Sequence, residues 1–311
     1  MTLTQLQYVL AVNKYRHFVT AAEKCFVTQP TLSMQIQKLE EDLGVVIFDR
    51  TKQPIVITSD GAKVIEQAKR IIYEAELLKE IVNTRKNSLE GELVLGIIPT
   101  LAPYLLPFFV QSFIKKFPQI ILRIEELTTA HIVEKLKNDE LDAAILATPL
   151  GQTTLQEEPL FYEPFVAYLG KNNPLKSLKV LSGDNVKDIN VYLMQEGHCM
   201  RNQTAMLCNE QMNNKSNFIY ESGSIETLKK MVDINGGLTF LPELSIYDLP
   251  KNKINNVRYF KSPEPVREIS IVTHRSFIKK RLLEVLQKTI LESIPTKYQS
   301  SKNKKIFPVS V

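Results

Sequence analysis

The stretch Thr20-Ala-Ala-Glu-Lys-Cys-Phe-Val-Thr-Gln-Pro-Thr-Leu-Ser-Met-Gln-Ile-Gln-Lys-Leu-Glu-Glu-Asp-Leu-Gly44 decides how the N-terminal part folds. In its second half Leu32, Ile36, Leu39 and Leu43 recur every three or four residues, which is one apolar stripe of a helix. Thr28-Gln-Pro30 starts that helix, because proline is tolerated in a first turn where its missing N–H is not needed. Gly44 ends it. Upstream, Thr20-Ala-Ala-Glu23 has the form of a capping box, in which Thr20 and Glu23 bond each other's backbone. It predicts a short helix running through Cys25, a cysteine that reads as a small buried residue. Leu3, Leu6, Leu10 and Val12 fit one face of a helix ahead of it. Three short helices with a tight turn before the third make a helix-turn-helix.

The opposite face of the third helix carries Gln29, Pro30, Thr31, Ser33, Met34, Gln35 and Lys38. Glutamine reads base edges in a major groove, and Ser, Thr and Lys suit phosphates. After Gly44, the segment Val45–Thr58 alternates as a two-stranded wing would, with Arg50 and Lys52 at its tip as phosphate contacts. Spacing alone leaves open a generic three-helix domain with a solvated polar face.

Further along, Val64, Ala68, Ile71, Ala75, Leu78 and Val82 recur every 3.5 residues on average, the seam of a coiled coil. They predict a connector helix that pairs two chains, or else a stripe packed on the chain's own effector domain. Asn83–Ser88 reads as a polar hinge. From Gly91 on, strands alternate with helices: strands at 92–98, 120–126, 142–146, 165–169, 191–194, 218–220 and 269–272, and helices at 103–117, 130–138, 225–235 and 277–291. Such alternation predicts mostly parallel sheets covered by helices, in two lobes about a cleft. Ligands in such sheets sit at strand ends beside helix N-termini, here Pro99-Thr100, Thr128-Thr129, Gly197-His198-Cys199 and Ser222-Gly-Ser224.

The domain plan is then a winged helix-turn-helix head over 1–60, a linker helix and hinge over 61–90, a two-lobed α/β effector domain over 91–295, and a tail over 296–311. The net charge of +5 does not by itself argue for nucleic acid. Residues 1–90 hold 12 basic and 11 acidic side chains, and 296–311 hold four lysines and no acid. That tail reads as solvated and poorly ordered. No apolar run approaches the ~20 residues of a membrane span, and no secretory signal is visible. A cytoplasmic protein without a membrane partner is expected.

Two of the chain's three cysteines lie nine positions apart, in Glu196-Gly-His-Cys-Met-Arg-Asn-Gln-Thr-Ala-Met-Leu-Cys208. A thiol reacts as thiolate, which cations and helix N-termini stabilise. Cys199 is a candidate reactive thiol and Cys208 a candidate resolving partner. If the segment between them is helical, their Cα atoms stand roughly 13 Å apart, beyond the ~7 Å a disulfide permits. The pair suits a switch that refolds locally; a buried Cys208 beside an idle Cys199 remains the alternative. A zinc site from His198, Cys199 and Cys208 lacks a fourth ligand at suitable spacing, so neither metal nor cofactor is expected.

Thr20-Ala-Ala-Glu through Gln29-Pro-Thr-Leu-Ser, Lys38–Gly44, Phe48-Asp-Arg and Thr58-Ser-Asp-Gly-Ala62 resemble the winged helix-turn-helix of LysR-type transcription regulators. Gly197-His-Cys-Met-Arg201 with Cys208, Gly96–Pro107 and Ser224–Val232 resemble the hydrogen-peroxide-sensing OxyR subfamily. The resemblance implies double-stranded operator DNA, hydrogen peroxide, RNA polymerase and a second copy of the chain as partners. The copies would pair through the linker helix as a dimer and further as a tetramer. It implies a two-lobed, periplasmic-binding-protein-like effector domain. It makes Cys199 the peroxidatic and Cys208 the resolving cysteine, and places Thr100, Thr129, His198, Arg201, Asn202 and Arg267 in the peroxide pocket. Asn202 stands where the subfamily usually has Asp, and Gln37 where peroxide sensors often carry a basic residue. The competing readings are a LysR-type regulator that binds a metabolite in its cleft, with incidental cysteines, and a thiol peroxidase. The DNA-reading head argues against an enzyme.

Overall fold

The computed structural model describes residues 1–83, 89–182, 185, 191–195, 197–207 and 223–309. Residues 84–88 of the expected hinge, the expected strand at 218–220 and Cys208 lie outside the described residues. The chain divides into two compact units, one over Met1–Ser88 with Ser276–Lys279 and one over Leu89–Arg275 with Lys280–Val311.

The first unit is helical with a small wing. Helices α1 (Leu3–Tyr15), α2 (Phe18–Lys24) and α3 (Gln29–Leu43) are followed by antiparallel strands β1 (Phe48–Asp49) and β2 (Val56–Ile57), then by the long helix α4 (Ser59–Asn83). Two details depart from the sequence reading. The capping box is at Thr2 and Gln5, opening α1, and α2 starts earlier than Thr20. Arg16 turns left-handed at φ 51°, and His17 becomes the N-cap, its ring accepting from the Thr20 N–H. An imidazole nitrogen can accept at an N-cap as a hydroxyl does, so the chain did not need Thr20 there. The buried face of α1 is Gln5, Leu6, Val9 and Val12, while Leu3 is exposed.

On α3, Leu32, Ile36 and Leu39 are fully buried, Leu43 is exposed, and Gly44 caps the end at φ 68°. The stripe on α4 serves this same core. Ala68 is buried in it, with Val64 and Ile71 packed against it. Val64 and Ile71 are only partly buried by this packing. Of the expected pairing residues, Ala75 and Leu78 lie farther along the helix, with Leu78 64% exposed. The Val82 side chain lies outside the described residues.

The second unit is a two-lobed α/β fold. Strands β3 (Gly91–Ile97), β4 (Ile120–Glu126) and β5 (Ala143–Thr148) are parallel neighbours, joined by helices α5 (Ala102–Lys116) and α6 (Thr129–Lys137). Next comes β6 (Leu155–Leu169), far longer than the 165–169 strand expected, followed by short strands β7 (Val180–Leu181) and β8 (Val191–Tyr192). Helices α7 (Cys199–Leu207) and α8 (Ile225–Asn235) lead to β9 (Leu238–Pro242), α9 (Lys251–Ile254) and β10 (Val257–Phe260). The unit closes with β11 (Glu264–His274), α10 (Lys280–Ser293) and β12 (Lys304–Ile306).

One sheet runs β4-β3-β5-β11-β6 and the other β8-β9-β6-β10-β7. The sheets are mixed, not mostly parallel, because β11 runs antiparallel to β5 and β6, and β6 continues into the other sheet antiparallel to β9. The tail is also not a loose end. Strand β12 pairs parallel with β11, Tyr298 is fully buried, and Phe307 and Val309 are nearly so. Burying those three side chains removes enough apolar surface to fix a segment whose lysines alone suggest solvation.

Candidate functional site

The thiol site forms at the N-terminus of α7. Gly197 adopts φ 87°, a left-handed turn that costs glycine little, and it delivers the chain into the helix at Cys199. Cys199 is a free thiol, only 7% exposed. Burial pushes this thiol up; the charge of Arg267, a hydrogen bond with the Thr129 hydroxyl and the N–H groups of Met200 and Cys199 itself pull it down. The resting group is a protonated thiol with its thiolate-stabilising partners already in place. Next to it, burial lowers the His198 imidazole below its ordinary value, so it is neutral at pH 7.

Arg267 comes from β11 and is fully buried. Its Nη1 donates to Thr100 Oγ1 at 3.0 Å and its Nη2 to the Thr100 carbonyl at 3.1 Å. Its other edge meets Glu163 on β6, with Nε–Oε2 2.8 Å and Nη2–Oε2 2.7 Å. Glu163 Oε1 accepts from the Leu244 N–H at 2.8 Å. Burial raises the Glu163 carboxyl, while the Arg267 charge and the Leu244 N–H pull it back. Three N–H donors aimed at its two oxygens are accepted in full only by the carboxylate, so we read the pair as ionised.

The structure thus gathers Cys199, Thr129, Arg267 and Thr100, with His198 adjacent in the chain. Arg201 and Asn202 stand on the same helix, two and three residues after Cys199. The Arg201 guanidinium donates to the Met194 carbonyl at 3.2 Å, and the cation acting on the thiol is Arg267. Asn202 is on the exposed side of α7. Helical geometry turns Arg201, two positions along, ~200° around the axis from Cys199, whereas Asn202, three positions along, is only ~60° away. The fourth position returns to the same side, and there Gln203 is fully buried. Its Nε2 donates to the Phe307 carbonyl at 2.7 Å, so the tail is tied to the cysteine helix. Gln203 Oε1 is the one buried side-chain oxygen or nitrogen without a partner among the described residues. The i,i+4 spacing was the available signal for Gln203. For Glu163 it was a lone carboxylate in the apolar run Leu160-Phe-Tyr-Glu-Pro-Phe-Val166.

In the head unit, Gln29, Pro30, Met34 and Lys38 are exposed, and Thr31, Ser33 and Gln35 are partly so. Gln35 is not wholly free for base reading, because its Oε1 accepts from Gln5 Nε2 at 3.2 Å. Arg50 is exposed but engaged. It donates to Glu40 at 2.7 Å and to Ser33 at 3.2 Å, and lies over the Phe18 ring at 5.2 Å. Glu40 also accepts from the Ile47 and Phe48 N–H groups at 2.7 and 3.2 Å. The Glu40 carboxylate therefore fastens the wing to α3 and draws Arg50 in. Lys52 remains outward, 64% exposed.

The fold and these two regions define a two-part bacterial regulator, and comparison with known proteins agrees. Residues 3–62 match the bacterial regulatory helix-turn-helix protein, lysR family, and residues 86–293 match the LysR substrate binding domain. The chain belongs to the LysR family of transcription regulators, within its OxyR branch. It is 35% identical to a hydrogen peroxide-inducible genes activator of Haemophilus influenzae, over 88% of this chain and 90% of that one. A full-length OxyR cysteine-to-aspartate variant of Pseudomonas aeruginosa is similar in structure, with TM-score 0.75 and 34% identity over 93% of this chain and 97% of that one. A peroxide-bound OxyR cysteine variant of Corynebacterium glutamicum matches with TM-score 0.62 and 26% identity, over 94% of this chain and 92% of that one.

Proposed function

We propose that this protein is a cytoplasmic, DNA-binding transcription regulator, not an enzyme, that senses hydrogen peroxide through Cys199. The observation that carries the reading is the buried thiol at the first residue of α7, held against the Thr129 hydroxyl and within the field of Arg267. Hydrogen peroxide enters as oxidant. The Cys199 thiolate attacks one peroxide oxygen, the O–O bond breaks, and hydroxide leaves and takes a proton to become water. The product is a sulfenic acid. The Cys208 thiol then attacks that sulfur, a second water leaves, and a disulfide forms.

That second step is incompatible with an intact α7. Leu207 is eight residues along the helix, about 12 Å from Cys199. One further residue reaches at most ~3.8 Å back, so the Cα separation stays above the ~7 Å limit. Oxidation must take α7 apart, and with it the Gln203–Phe307 tie. In the head, Gln29, Pro30, Thr31, Ser33, Gln35 and Lys38 form the operator-reading face. Lys52 contacts phosphate and Arg50 braces the wing. Self-association through the outer part of α4 sets two heads on one operator, as half-site spacing requires, and tetramers and RNA polymerase complete the assembly.

Fluorescence anisotropy on an operator fragment, with reduced and peroxide-treated full-length protein, tests this reading. The parent should change affinity or footprint after peroxide, and Cys199→Ser should give the reduced pattern under both conditions. A parent indifferent to peroxide but shifted by a metabolite would replace this reading with the metabolite-responsive one.

A further inference from the structure

We propose that Glu163 is a positioning residue for the thiol site, acting through Arg267 to set both where the guanidinium points and how much of its charge reaches Cys199. The proposal rests on the reading that Cys199 is the reacting thiol. Glu163 and Arg267 face each other in the register of β6 and β11, close to where β6 passes from one sheet to the other. Both side chains are fully buried. The carboxylate holds the Nε–Nη2 edge of the guanidinium at 2.8 and 2.7 Å, which leaves Nη1 and the second Nη2 hydrogen for Thr100. Its other oxygen is fixed by Leu244, in the short turn Glu243–Ile246 of the second lobe. Thr100 belongs to the first lobe. One carboxylate therefore references Arg267 to both sides of the site.

The same contact has an electrostatic consequence. An anion 2.7 Å from the guanidinium turns a full positive charge into a dipole, whose field falls off faster with distance than that of a lone cation. Cys199 therefore feels less than one unit of charge. Amide replacement removes the anion and leaves one acceptor oxygen for three N–H donors. Aspartate keeps the anion but withdraws it by one C–C bond, about 1.5 Å. The two substitutions separate charge from position.

The experiment uses full-length reduced protein, with site-resolved mass spectrometry of Cys199 alkylation by iodoacetamide across pH, and peroxide oxidation rates followed in parallel. In Glu163→Gln the midpoint of the alkylation profile moves down by about one pH unit, the low end of the shift a neighbouring opposite charge produces. In Glu163→Asp the midpoint stays near the parent's, while the peroxide rate falls about tenfold, as displaced positioning groups cost. A folded Glu163→Gln protein with an unmoved midpoint overturns the charge role. Glu163→Asp oxidising at the parental rate overturns the positioning role, and this arm decides the matter alone if Glu163→Gln does not fold. If the parent itself fails to react with peroxide, the sensing reading falls, while the alkylation profiles still report on Glu163.

Discussion

Replacing Arg267 by Met tests the buried centre of this structure. The substitution deletes both guanidinium contacts to Glu163 and both to Thr100. It leaves a fully buried carboxylate with one N–H donor, that of Leu244. Removing one partner of a buried ion pair costs about 3–5 kcal/mol, a large part of a typical domain's total stability. With a urea dependence of about 2–3 kcal/mol per molar, the transition of the second unit should move down by roughly 1–2.5 M. The loss should also depend on pH. Burial raises the Glu163 carboxyl above its ordinary value of 4.5, and the Arg267 charge that opposes this is gone in the variant. A group whose folded value is raised leaves stability intact below its unfolded value and removes it as pH climbs towards the folded value. The deficit should therefore be smaller at pH 5 than at pH 7.5. Adding Glu163→Leu should restore most of the stability at both pH values, because an apolar pair carries no uncompensated charge. It should restore none of the peroxide reactivity. Urea unfolding of the three proteins by circular dichroism at the two pH values is the assay. A single variant within about 1 kcal/mol of the parent, or a double variant no better than the single, would refute the ion-pair reasoning.

Four further outcomes follow from particular positions. A Cβ at Gly61 would sit 2.2 Å from the Ile47 carbonyl oxygen and 2.9 Å from Thr58 Oγ1. Gly61→Ala should therefore destabilise the head by about 1–3 kcal/mol or more and weaken operator binding, with the unfolding of the second unit unchanged by calorimetry. Lys52→Ala should lower the slope of log affinity against log salt by about 0.9 per subunit, the value for one lost phosphate contact. Arg50→Ala should weaken binding with little change in that slope, because its guanidinium is engaged with Glu40 and Ser33. Phe307→Ala should cost about 3 kcal/mol and raise hydrogen exchange across 199–207, since the buried Phe307 ring anchors the tail segment whose carbonyl holds Gln203; unchanged exchange there would show that the tail does not support the cysteine helix.

The head was largely legible because its signals are local. The stripe on α3, the proline at its start and Gly44 at its end are all short-range. The reading ran out where two structures share one pattern. The run from Val64 through Ile71 has the same period whether it faces a partner or the chain's own core, and period does not say which. Thr20 and Glu23 fit a capping box, but His17 could accept equally well and the left-handed turn at Arg16 chose it. Strand β6 was under-read because Pro159 and Pro164 interrupt it, and proline normally demotes a strand. Its antiparallel pairing with β11 tolerates both, with Pro164 opposite Val266 and Pro159 opposite Ser270. In the tail, four lysines hid Tyr298, Phe307 and Val309. At the thiol site, Cys199 stood out by its neighbours in sequence. Glu163 and the long-range tie between Gln203 and Phe307 depend on which strands cross between the lobes, and no local pattern carries that.

The central claim is that peroxide oxidises Cys199 and that its disulfide forms only by taking α7 apart. Reduced full-length protein treated with one equivalent of hydrogen peroxide, then quenched and mapped by peptide mass spectrometry alongside hydrogen exchange, tests it directly. The account predicts a rapid Cys199–Cys208 link, absent in Cys199→Ser, together with loss of exchange protection across 199–207. Thiols that stay reduced, or a link that forms while 199–207 keeps its protection, would contradict it.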